Sequence, residues 1–223
     1  MGKNYRSVIT RLWSITMPVL LAMLQSPPIN AGEDDHLAPC KAIFPEYRNR
    51  VESISLAAMP GQVDFWVTVI PSGPPESTVG ISTDKGRHFV TDVVFQQSLW
   101  NRSLVSTGPT TMAYDFSTPP VRTRTRTARI SAELYAALRS EWTRSIDGVR
   151  PIDKNNAMVR VDGVTFEFKS LGRCGSAESI DSETRNGRLF DLVMALALLA
   201  DHKSDAFSAA KHVARKLREL PPP

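Results

Sequence analysis

The chain has 223 residues, of which 42% are hydrophobic and 22% charged, a composition that fits a globular protein and excludes a disordered or polytopic membrane one. Two cysteines, Cys40 and Cys174, are too few for a disulfide-dense scaffold or a four-cysteine zinc site. The formal charge of +4 is concentrated at the start: Lys3, Arg6 and Arg11 precede the first acidic residue, and without those three the 27 basic residues become 24 against 23 acidic ones. A nearly neutral body lacks the basic footprint of a nucleic-acid binder.

Behind the basic start, Leu12 to Leu24 is almost wholly apolar, and a polar stretch then ends Pro27-Pro28-Ile29-Asn30-Ala31. Basic, apolar and polar segments in that order are expected to form a cleavable secretory signal over residues 1–31. The apolar run is about 13 residues and contains Pro18, short of the roughly 20 needed to span a bilayer. Export places Cys40 and Cys174 in an oxidising compartment, where a lone pair is expected to join in a disulfide. A nucleophilic Cys174 would have to stay a reduced thiolate, which that compartment opposes.

Residues 32–51 read as an extended N-terminal segment leading into a single domain over 52–220. From Glu52, Ile54, Leu56 and Ala58 alternate with Ser53, Ser55 and Ala57, and Val63, Phe65, Val67 and Val69 follow beyond Pro60-Gly61. The two rows predict a hairpin. Val79–Ser82 and Phe89–Phe95, separated by Asp84-Lys85-Gly86, predict a second, and Asn101–Ser106 a further strand. Glycine and three prolines mark 108–120 as a loop.

Val121 to Ile130 alternates strictly, placing Arg122, Arg124 and Arg126 on one face of a strand. Ser131 then reads as the cap of a helix whose Leu134, Leu138, Trp142 and Ile146 form one apolar stripe. Met158 to Lys169 predicts a hairpin turning at Asp162-Gly163. The run around Leu189–Leu199 is apolar on nearly every side and is expected to be a buried helix. The last helix, about 204–220, carries Phe207, Ala210, Val213, Leu217 and Leu220 on its apolar side. Together these elements predict an α+β fold: a mostly antiparallel sheet of hairpins, with one middle helix and two C-terminal helices packed on one face.

No nucleophile elbow, zinc-protease helix or phosphate loop occurs, so no catalytic residue, metal ligand or cofactor is assigned. Asp34-Asp35-His36 has metal-binding residue types, but reads as a solvated acidic tail. His88 and His202 read as hydrogen-bonding or capping residues. The distinctive surface feature is the ladder Arg122, Arg124 and Arg126, with Arg129 nearby. It either grips an acidic protein surface or charges an edge strand against further pairing. The expected function is that of an exported, bacterial periplasmic binding protein without catalysis, such as an immunity-type inhibitor or envelope accessory factor. The alternative is a cell-envelope hydrolase using carboxylates such as Asp64, Asp92 or Glu167.

Overall fold

A computed structural model of the chain describes residues 36–40, 44–108, 111–117, 121–151, 164–178, 183–201 and 206–221. The chain divides after Ala31 into two units, and every described residue belongs to the second. The predicted signal, Asp34-Asp35, His202 and the Asp162-Gly163 turn lie outside the described residues.

The elements run β1 (Ala38–Pro39), α1 (Pro45–Ala57), β2 (Gln62–Pro71), β3 (Ser77–Asp84), β4 (Arg87–Phe95), α2 (Leu99–Arg102), β5 (Leu104–Ser106), β6 (Met112–Tyr114), β7 (Thr123–Ile130), α3 (Ala132–Asp147), β8 (Val164–Ser170), β9 (Arg173–Glu178), α4 (Arg185–Asp201) and α5 (Ala206–Glu219). Seven strands form one antiparallel sheet in the order β1-β9-β8-β2-β3-β4-β7, while β5 and β6 pair separately. The α+β class expected from the sequence is the class observed.

One face of the sheet carries the main core. Phe65, Val67, Val79, Ile81, Val90, Phe166 and Phe168 pack there against Leu138 and Trp142 of α3, Leu192 and Leu196 of α4 and Val213 of α5. The Ser131 side chain accepts from the Leu134 amide and starts α3, as its spacing predicts. The β3–β4 turn also forms where it was expected. Lys85 and Gly86 sit at φ 49° and 73°, the two positive values that a tight hairpin of this twist requires.

Several expectations are corrected, among them the 108–120 loop, which holds β6, and the 101–106 strand, whose first two residues belong to α2. Residues 45–57 are helix, where extended chain and then a strand were expected. Pro45 opens α1 and Glu46 lies in its first turn, both favourable to a helix start. The helix buries Tyr47, Val51 and Ser55 on the sheet's second face, so Ile54 and Leu56 do not alternate into a sheet. Gly61, at φ 66°, therefore joins a helix to β2 rather than two strands. Next, β8 pairs with β2 on one side and, through a turn at Leu171-Gly172 where only a glycine-rich loop was expected, with β9 on the other. Finally, α4 is one-sided, with Met194 and Leu198 about half exposed, and Phe207 at the start of α5 is exposed while Val213 is buried.

Cys40 and Cys174 form a disulfide with a Cα–Cα separation of 5.6 Å. The register Ala38↔Ser176 and Pro39↔Gly175 continues to Cys40 opposite Cys174, so the bridge extends a strand pairing only two residues long. His36 precedes that strand and its carbonyl accepts from the Asn186 amide at 3.1 Å, which ties it to α4 rather than leaving it in a solvated tail.

Candidate functional site

The expected arginine ladder lies on β7, at one edge of the sheet among the described residues. Side chains alternate along a strand. Arg122, Arg124 and Arg126 share the helix-bearing face with Ala128 and Ile130, which pack into the main core, whereas Arg129 points to the opposite face. The four are thus divided. Arg126 forms an ion pair with Asp201 at the C-terminal end of α4. It also lies across from Asp92, a carboxylate only 5% exposed. Arg122, Arg124 and Arg129 are exposed. One rung of the ladder is therefore neutralised within the chain, and the other two on that face, Arg122 and Arg124, are exposed.

The carboxylates considered for hydrolysis do not converge. Asp92 and Glu167 sit on opposite faces, because Asp92 meets Arg126 beside α4 whereas Glu167 meets Arg48 of α1. Glu167 is buried and held by Arg48 at 2.7 Å and Lys169 at 3.3 Å. Its oxygen lies within 4.8 Å of the Cys40 and Cys174 sulfurs, but in the disulfide neither sulfur is a thiolate ligand, and two adjacent cations oppose a metal ion. Asp64 accepts from the Thr83 hydroxyl at 2.7 Å and from the Tyr135 hydroxyl at 3.2 Å. His88 stacks on Tyr135, with ring centroids 3.8 Å apart, and its Nδ1 lies 3.1 Å from Thr83 Oγ1. Because Thr83 gives its proton to Asp64, His88 does not activate it as a nucleophile. The network joins the irregular start of β2 to α3.

A second surface was not visible in the sequence. Phe44, immediately before α1, Trp100 in α2, and Tyr114 and Phe116 at the end of the β5–β6 hairpin form one aromatic cluster. Centroid distances run from 4.3 Å for Trp100–Tyr114 to 6.2 Å for Phe44–Tyr114. The β5–β6 register places Leu104 opposite Tyr114 and Ser106 opposite Met112, all on one exposed hairpin face. Exposure is 47% for Phe44, 41% for Leu104, 57% for Met112 and 40% for Tyr114, so half of the eight large exposed apolar residues among the described residues lie at this corner. Phe44 adopts φ 50°, a left-handed conformation that costs a bulky residue energy. A hollow of about 570 Å³ adjoins the cluster, lined by Glu46, Asn49, Arg50 and Asp115 beside the rings.

The corner is anchored from below by Glu76, a buried carboxylate. It accepts from the Leu99 amide at 2.9 Å, the Trp100 amide at 3.1 Å and the Tyr47 hydroxyl at 2.6 Å. These bonds seat α2 and therefore Trp100. Burial, and then the bond to Glu76, hold the Tyr47 phenol well above its ordinary range, so it stays a proton donor. No single segment signals the arrangement, because its rings come from three separated stretches of chain.

Compared with known proteins, the chain matches no family model, no curated protein and no solved structure.

Proposed function

We propose that this is an exported binding protein that acts by contact with another protein and carries out no reaction, in the manner of an immunity-type inhibitor or an envelope accessory factor. The observation that carries the reading is the exposed corner of Phe44, Leu104, Met112 and Tyr114, built on the half-buried Trp100. Large contiguous apolar patches on a folded protein mark interaction sites. Aromatic residues and methionine surrounded by a polar rim, here Glu46, Asn49, Arg50 and Asp115, are the composition of a protein interface. The Cys40–Cys174 bridge supports an oxidising compartment, and the apolar Leu12–Leu24 run supports export into it.

The test places a photo-crosslinking amino acid at Met112, and at exposed Arg215 as a control, in protein expressed in its native envelope. A discrete adduct is expected from position 112 alone, and Leu104→Ser with Tyr114→Ser should abolish it. Identical labelling at both positions, or none at 112, overturns the reading. Sequencing the recovered protein should give an N-terminus at Gly32. Protein that retains Met1 overturns export.

A further inference from the structure

A second surface of this interaction protein lies along the outer edge of β7. Pairing with β4 fixes which backbone groups of β7 are spent. The Gln96 amide donates to the Arg122 carbonyl at 2.9 Å, and the register carries this alternation onward through Asp92↔Arg126 and Val90↔Ala128. In an antiparallel ladder, residues alternate between exchanging hydrogen bonds with the partner strand and facing away from it. Arg124, Arg126 and Ala128 therefore point their amides and carbonyls at β4. Thr123, Thr125, Thr127 and Arg129 point theirs outward, where no strand pairs with them among the described residues.

We propose that β7 is a docking edge for an extended acidic segment of a partner protein, which adds to the sheet as a further strand. The outward backbone groups supply the pairing, as in other cases of strand addition. Charge supplies the selectivity. Exposed Arg122 and Arg124 lie on one face of the edge and exposed Arg129 on the other, so carboxylates at alternate positions of an incoming strand meet guanidiniums. The same charges reject a second copy of this chain. An antiparallel β7 from another molecule would set arginine against arginine at cross-strand spacing, where like charges destabilise. The edge is thus closed to itself and open to acidic strands.

The probe is a synthetic capped peptide in which glutamate and threonine alternate, titrated against the purified protein at low and at high salt. A scrambled peptide of the same composition and one with lysine for glutamate are the controls. Binding is expected to the alternating peptide, and to weaken as salt rises. Arg122→Ser combined with Arg124→Ser should weaken it about tenfold at low salt and flatten the salt dependence. Thr125→Pro removes one outward amide without touching the β4 side, a position where an edge strand tolerates proline, and should abolish binding with an unchanged circular dichroism spectrum. If that variant does not fold, the same peptide N-methylated at alternate residues is titrated against the unmodified protein and should not bind.

Equal binding to Thr125→Pro or to the N-methylated peptide reduces the surface to an electrostatic patch and overturns strand addition. Absence of binding at low salt overturns the proposal outright. Self-association of the unmodified protein that Thr125→Pro abolishes would make the occupant a second copy. The crosslinking result at Met112 is read separately, so failure here leaves the corner untouched.

Discussion

Asp92 faces two arginines, yet its carboxyl is pushed up to about 6, because burial outweighs the pull of Arg126 and Arg124, and Asp201 adds to the rise. Between about pH 4 and about pH 6 the native state therefore holds a proton that the unfolded chain, at the ordinary value of 3.8, has released. Stability should fall as pH rises from about 4 to about 6 and level off above. The ceiling on the loss is about 3 kcal/mol, from a shift of roughly two units. Asp92→Asn imitates the protonated form. It should raise the unfolding free energy by about 1–3 kcal/mol at neutral pH and leave it little changed below about pH 4. Urea titrations at the two pH values check this, and an Asn variant less stable at neutral pH would show that the carboxylate is held by its arginines after all.

The elements divide into those that announce themselves and those that do not. The β3–β4 hairpin is legible because Lys85-Gly86 fits a tight turn and the flanking residues alternate. Helix α3 is legible because Ser131 caps it and Leu138, Trp142 and Ile146 share one stripe. Helix α1 is not, because its buried stripe includes Ser55, whose hydroxyl pairs with Thr78 at 2.9 Å. A serine in a buried position erases the apolar period, while Ile54, Leu56 and Ala58 imitate a strand. The arginine face of β7 could be read from alternation, but not the loss of one rung, since Asp201 comes from a helix far along the chain. The aromatic corner was hidden for the same reason: Glu76 gathers residues that sequence keeps apart.

Between elements, one buried contact joins α3, α4 and the chain beyond α5. The Arg185 guanidinium at the start of α4 pairs with Glu141 of α3 at 2.6 Å, lies 3.3 Å from the Ser145 hydroxyl, and donates to the Pro221 carbonyl beyond α5. Both side chains are at most 2% exposed. Glu141→Ala takes the carboxylate away from a buried cation and should cost about 3–5 kcal/mol, whereas replacing both partners by methionine should recover most of that. Chemical denaturation of the two variants measures the difference. Equal losses would mean that the pair itself, rather than the buried cation left without its carboxylate, sets the cost.

At the scale of the whole molecule, the bridge from Cys40 to Cys174 spans 134 residues, closing a loop from the end of β1 to the start of β9 with α4 and α5 outside it. Constraining so long a loop in the unfolded state is worth about 5 kcal/mol as an upper figure. Reduction, or Cys40→Ser with Cys174→Ser, should lower the denaturation midpoint accordingly, and an unchanged midpoint would assign the stability to the core alone. The bridge also closes the far end of the sheet. With β1 seated on β9, β7 is the one long unpaired border among the described residues. If β1 comes away, Gly175 and Ser176 lose their partners in β1 and a second border is bared. A covalent link beside a two-residue strand thereby acts as a latch, holding in place a pairing too short to hold itself.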